Sequence, residues 1–210
     1  MTDRLARLVR TRLSLHAVAE LLLAGPQYER SKSIELRVTP GGFASTRAPD
    51  IRVDGADIVA GDRRLALDGR TVDQLAADLG LEPRDLHDVY SDGRDFEASM
   101  ALTIDDDAAE EIARAFGIGN AALAKLSTDV RPILWPEHFD VGIALEKVNY
   151  GVSPGDDDNA EPYAYVGPWE APSGERDPFW NKPFGAARAI AELGDEQSVL
   201  AFFAEGRDRT

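Results

Sequence analysis

No cysteine occurs in the 210 residues. That excludes a disulfide framework and a thiol nucleophile, and leaves zinc only imidazole and carboxylate ligands. Histidine is nearly as scarce. His16, His87 and His138 are the full complement, and neither HExxH nor a paired HxH pattern is present. The apolar run AELLLAG, residues 19–25, falls far short of the roughly 20 residues that a membrane-spanning helix requires. No Gly-rich loop of nucleotide type follows a strand and opens a helix, and GKS and GKT are absent. The opening MTDRLARLVRTRL reads as an amphipathic helix and not as a signal peptide. The expectation is a cytoplasmic, non-membrane protein that needs no cofactor and no metal.

Lysine is limited to four positions against 38 acidic residues. The formal net charge is −15, yet residues 1–40 sum to +3 and the remainder to −18. Such a surface repels phosphate backbones and anionic lipid, and favours solubility or a cationic partner. It would equally suit a high-salt habitat, in which case it reports surroundings and not activity. The 43% apolar content is enough to fill a core without covalent help.

Periodicity divides the chain into helical and β-rich stretches. DRLARLVRTRLSLHAVAELLLAG predicts two helices parted at Ser14, which caps the second, with Gly25-Pro26 as the stop. SIELRV alternates as a half-buried strand. IRVDGADIVAGDRRLALDG continues as an antiparallel meander with a hairpin turn at Asp54-Gly55. TVDQLAADLG carries a capping box, Thr71 with Gln74, and a Gly80 stop. EPRDLHDVY predicts a helix ending before Ser91-Asp92-Gly93, and DDDAAEEIARAFGIGNAALAKL a helix pair broken near Gly117–Gly119. LAADLGLEPRDL and IARAFGIGNAAL share a pattern at an offset of 37, and each resembles the helix-turn-helix of DNA-binding regulators. Their reading helices offer Arg84 beside Asp85 and Asp88, or a single Lys, which argues against a nucleic-acid partner. Near the end, PFWNKPFGAARAIAEL is expected to be helical after Pro183. Asp195 then caps EQSVLAFFAEG, packed through Val199, Phe202 and Phe203 and ended by Gly206. The fold expected is α+β, an antiparallel sheet covered by helices with a central helical cluster. It forms one domain over residues 1–210, with a helical insertion at about 71–128.

Residues 135–169, WPEHFDVGIALEKVNYGVSPGDDDNAEPYAYVGPW, hold two of the three Trp and three of the five Tyr. Counted by two along one strand, Ile133, Trp135, Phe139, Val141, Ile143 and Leu145 share a core face, with Glu137 among them. His138, Asp140, Gly142, Ala144, Glu146, Val148 and Tyr150 share the other. After an acidic loop at 155–161, YAYVGPW returns with Tyr163, Tyr165 and Trp169 in one row. Paired with residues 144–150, that row would wall a shallow groove floored by small residues. His138 as general base and Asp140 as its orienter are the candidate catalytic pair. Glu146, Tyr163, Tyr165 and Trp169 are the candidate ligand contacts. Ser153 sits in a Pro-Gly turn without a strand-to-helix elbow, which argues against a hydrolase nucleophile. Asp156, Asp157, Asp158 and Glu161 lack the spacing and the Gly of a calcium-binding loop.

The segments WPEHFDVG, NYGVSPGD and EPYAYVGPW resemble a signature of an uncharacterised family of bacterial proteins. There a Trp-Pro-acidic/His-His-Phe-Asp strand precedes a Pro-Tyr-x-Tyr strand. The matching positions are Trp135, Pro136, Glu137, His138, Phe139, Asp140, Pro162, Tyr163 and Tyr165, within about 35 residues of the 210. Glu137 stands where some members have a second His. The resemblance implies no activity. The residues themselves point to a small organic ligand in an aromatic-acidic groove. The alternatives are a hydrolase- or isomerase-like enzyme with His138 as base, and an acidic module that binds a basic protein partner.

Overall fold

A computed structural model describes residues 2–91, 93–170 and 177–210; Asp92, expected in a turn, lies outside the described residues. The fold is α+β, with antiparallel β-structure flanked by helices. The chain divides into two compact units. The first comprises Met1–Arg114 with Leu134–Phe139, the second Ala115–Ile133 with Asp140–Thr210.

The first unit opens on α1 (Asp3–Val18), a wide π-helical segment (Ala19–Ala24) and α2 (Gly25–Ser31), which follow one another without a break. The expected division at Ser14 is absent, because its hydroxyl is engaged elsewhere. Ser14 Oγ accepts the Thr103 N–H and Thr11 Oγ1 the Asp105 N–H, each at 2.9 Å, so both buried hydroxyls dock a second segment onto α1. Gly25-Pro26 widens the helix and does not stop it. The Gly25 N–H reaches back five residues to the Glu20 carbonyl. The next carbonyl, Leu21, would wait for residue 26, but proline has no N–H. The Arg84 N–H takes that carbonyl instead, at 3.1 Å.

The meander follows as β1 (Leu36–Thr39), β2 (Gly42–Ser45), β3 (Arg52–Asp54), β4 (Asp57–Ala60) and β5 (Arg63–Ala66). β6 (Ile133–Trp135) joins the other side of β1 through Leu134 opposite Leu36. The hairpin loop is Gly55-Ala56, one residue later than the sequence suggests, since Asp54 still pairs with Asp57. α3 (Val72–Leu79) has the expected capping box, with both Thr71–Gln74 hydrogen bonds at 3.1 Å, and ends on a left-handed Gly80. EPRDLHDVY is not a helix. Residues 81–91 are irregular and lie on the wide helical turn, where a Cβ on Gly25 would come within 2.9 Å of the Arg84 carbonyl carbon. The first helix-turn-helix is therefore not formed.

The second is absent as well. α4 (Asp106–Leu126) runs unbroken through Gly117 and Gly119. Gly119 serves close approach and not a turn, since a Cβ there would lie 2.7 Å from the Val152 side chain. The second unit packs the later part of α4 on a sheet ordered β7 (Asp140–Leu145), β8 (Val148–Ser153), β9 (Tyr163–Pro168) and β10 (Ala186–Ala189). The expected helix over GAARA is instead β10. The edge of β9 needs a partner, and the Asn181 carboxamide then closes β10's outer edge by bonding both the N–H and the C=O of Ala187, at 2.9 and 3.0 Å. α5 (Ile190–Leu193) and α6 (Glu196–Asp208) follow, with Asp195 capping the Ser198 N–H at 2.9 Å. Gly206 does not end α6; it lets the helix press on Val166. Val199, Phe202 and Phe203 are buried as expected.

Candidate functional site

A turn at residues 136–139, with Phe139 at φ 52°, interrupts the strand expected from Ile133, so β7 begins at Asp140. Its inward row is Val141 and Ile143, as the alternation indicates. The parity then flips. Glu146 and Lys147 form a two-residue turn, both with positive φ, that pairs Leu145 with Val148. Residues 145 and 148 share a face, so even-numbered residues change sides between β7 and β8. Val148 and Tyr150 therefore belong to the core and not to the candidate site row; Tyr150 packs edge-on against Phe203 at 5.9 Å.

The opposite face carries Asp140, Gly142 and Ala144 from β7, Asn149, Gly151 and Ser153 from β8, and Tyr163 and Tyr165 from β9. Gly142, Gly151 and Tyr165 are direct neighbours across three strands, and the Tyr165 ring fills the space that both glycines leave empty. A Cβ on Gly151 would lie 2.5 Å from its Cζ. The ring reaches two residues along β7, where its hydroxyl donates to Asp140 Oδ2. Burial, with the Asp140 charge beside it, holds the Tyr165 phenol far above its ordinary pKa, so it stays a donor. Tyr163 repeats the arrangement one pair along, donating to Asp156 Oδ2 at 2.5 Å, and burial also raises its pKa. Burial alone would push Asp156 up, but the bonds from Tyr163 and from the Asn159 and Asp158 amides outweigh it and hold the carboxyl low. Lys182 Nζ donates to Asn159 Oδ1 at 2.7 Å, so part of the acidic loop is tied down.

Trp169 is 62% exposed and yet fixed. Its indole N–H donates to Asn149 Oδ1 at 3.0 Å and its backbone N–H to the Lys147 carbonyl at 2.9 Å. Phe184, 45% exposed, meets the Tyr165 ring edge-on at 6.5 Å, and Tyr163 lies 6.3 Å from Tyr165. Of the predicted residues, Asp140, Tyr163 and Tyr165 are brought together. Trp169 joins the same face through Asn149. Glu146 is exposed in the hairpin turn, at the other end of β7 from Asp140. Six residues of strand separate them by about 20 Å. His138 is exposed in the 136–139 turn of the first unit, whereas Asp140 is buried in the second. Ser153 lies in GVSPG, residues 151–155, which spells GxSxG. The serine is buried, its hydroxyl bonds within the turn to Gly155, and a loop, not a helix, follows β8. No histidine lies in this unit to act as its base.

The first unit holds a buried polar cluster that the sequence pattern alone does not single out. Arg12, His16 and Glu20, spaced four apart on one helical face, are all buried. His16 stacks on Phe139 at 5.1 Å and meets Phe96 edge-on at 4.8 Å, and its Nε2 lies 2.7 Å from the Pro136 carbonyl. Burial lowers its pKa to about 4, reinforced by Arg94, His138 and Arg12 and opposed by the Pro136 carbonyl. The imidazole is therefore neutral near pH 7, with the proton on Nε2. His138 acts on His16, and His87 acts on Glu20. All three histidines thus belong to one unit, which their sequence spacing does not suggest. The available signal was the Arg-x3-His-x3-Glu period itself, which a surface stripe shares.

Among the described residues, no group of three or more His, Asp or Glu is placed to hold a metal, and no helix is long and apolar enough to cross a membrane. No family model matches the chain, and neither a curated protein nor a solved structure is similar to it.

Proposed function

We propose that the second unit binds a small organic ligand on the aromatic face of its sheet, against Trp169, Tyr165 and Phe184. One observation carries the reading: an exposed tryptophan is fixed by its indole hydrogen bond on the same sheet face as a tyrosine locked over two glycines. Met100, Trp169 and Phe184 are the exposed large apolar side chains among the described residues; Phe184 packs edge-on against Tyr165, and Trp169 stands farther along the same sheet face. Rings fixed in advance bind without losing much conformational entropy on association. The acidic surroundings disfavour phosphates and carboxylates, so a neutral or cationic ring-bearing molecule fits best. Asn149 uses its carbonyl oxygen on the indole, which leaves its amide hydrogens to a ligand's polar edge. The alternative with His138 as a base has less support, since Asp140 Oδ2 accepts the Tyr165 hydroxyl.

The test is a tryptophan-fluorescence titration with two probe sets, neutral oligosaccharides and aromatic amines. Saturable binding to either set, weakened at least about tenfold by Trp169→Ala, supports the reading, because stacking on one ring contributes about 1–3 kcal/mol. Binding that Trp169→Ala leaves unchanged, or no binding of either set, defeats it.

A further inference from the structure

The first unit contains a carboxyl group whose surroundings suit a proton better than a charge. Glu20 is 1% exposed, and neither of its oxygens has a hydrogen-bond partner among the described residues; the Tyr90 hydroxyl is in the same position. Tyr90 and the Leu86 backbone face the carboxyl closely enough to act on it, but without closing a full hydrogen bond. An ionised carboxylate in such a place costs several kcal/mol, by order of magnitude, unless paired. The charged neighbours do not supply a pair. From the irregular segment, His87 favours ionisation and Asp85 opposes it. From the 136–139 turn, Glu137 adds negative charge beside Tyr90, and on the helix itself the nearest titratable group is the neutral His16.

The segment over Glu20 is held mainly by side chains: Leu86 is buried, and the Arg84 guanidinium lies over the Tyr28 ring at 4.9 Å. Residues 81–91 have no helix or strand of their own. Arg84 anchors them, through its N–H to the Leu21 carbonyl and its guanidinium to Glu29. Both Glu20 and Leu21 lie in the wide helical segment, a distortion that often marks functional positions.

We propose that Glu20, with Tyr90, forms an internal proton-binding site that latches residues 84–90 onto the wide helical turn, so that loss of the proton releases the segment. While the carboxyl is neutral it can share its hydrogen with the Tyr90 oxygen. Once ionised it confronts Asp85 and needs water, which enters only if the segment lifts. Burial, the largest influence, and Asp85 raise the Glu20 pKa against the lowering effects of Tyr90, the Leu86 backbone and His87. The sign follows from linkage. The latched state binds a proton that the released state, with an ordinary glutamate, gives up. The latch therefore weakens as pH rises through the window between the ordinary glutamate value and the raised one, and levels off above it.

Amide hydrogen exchange on the full chain between about pH 5 and 9, corrected for intrinsic rates, tests this. Protection at residues 84–90 should fall up to about tenfold per pH unit inside that window, as release of one proton requires. Amides in the middle of α4 should not follow. Glu20→Gln, a permanently neutral isostere, should abolish the slope, and His87→Asn should keep it. A flat profile in the unmodified protein, an equal slope in Glu20→Gln, or loss of the slope in His87→Asn overturns the latch. Should Glu20→Gln fail to fold, the carboxyl carbon resonance of Glu20 decides. It must titrate above the ordinary glutamate range, at the pH where the loss of protection levels off; titration inside the ordinary range refutes the proposal.

Discussion

His16 shows how one side chain ties the stability of the first unit to pH. The unfolded chain binds a proton on this imidazole near 6.5, whereas the folded protein does so only near 4. Its contribution is intact above the ordinary value and is lost as pH falls through the window down to the depressed one. The full loss is roughly 3 kcal/mol, from about 1.4 kcal/mol per pKa unit. Urea unfolding at about pH 7 and pH 4 should show His16→Gln with a smaller acid loss than the unmodified protein, although less stable at pH 7 for want of the Phe139 stack. Equal acid losses would mean that other groups dominate. Tyr165 makes the complementary point in the second unit, where its hydroxyl donates to a buried carboxylate over a glycine floor. Neither partner is interpretable from its own neighbours in sequence.

At the scale of elements, two glycines in one helix have opposite meanings. Gly117 has open space around it, whereas a Cβ on Gly119 would run into Val152 and Val141. Gly117→Ala should therefore stabilise by about 0.5–1 kcal/mol through helix propensity. Gly119→Ala gains the same propensity but meets an overpacking cost of about 1–3 kcal/mol, and should be net destabilising. Thermal or urea unfolding of the two variants gives the signs directly. β10 supplies a second element-level prediction. Asn181 occupies the outward N–H and C=O of Ala187 and so behaves as a plug on the sheet's edge. Asn181→Ala should expose that edge and produce concentration-dependent self-association in sedimentation velocity; a variant that stays as dispersed as the parent would show that other features guard the edge.

For the molecule as a whole, the excess of negative charge is the dominant electrostatic fact. Ion pairs such as Arg64 with Asp54 and Asp57, or Arg209 with Asp177 and Glu205, lie at the surface and contribute little individually. Salt weakens those pairs, but it also screens the repulsion of a net charge of −15, and the repulsion is the larger effect. Raising NaCl from about 0.02 to about 0.5 M, across which the Debye length falls several-fold, should raise the melting temperature. A fall would place the ion pairs above the repulsion.

The sequence by itself determined what depends on near neighbours and on composition. The α+β class, the β1–β5 meander, the Thr71–Gln74 capping box, the Asp195 cap and the Tyr163–Tyr165 row all follow from spacings of two to four residues. Tertiary structure decided whatever required a distant partner. Ser14 does not cap because Thr103 claims it, and Gly25-Pro26 does not stop the helix because Arg84 takes the carbonyl that proline leaves. GAARA becomes a strand because β9 needs one. The face of Tyr150 turned on a single two-residue hairpin that reverses parity, and the Arg12, His16 and Glu20 row became a buried cluster only when residues 84–90, Phe96 and residues 136–139 closed over it. Backbone hydrogen bonding and desolvation are satisfied over the whole chain, so the residues that settle them can stand a hundred positions apart.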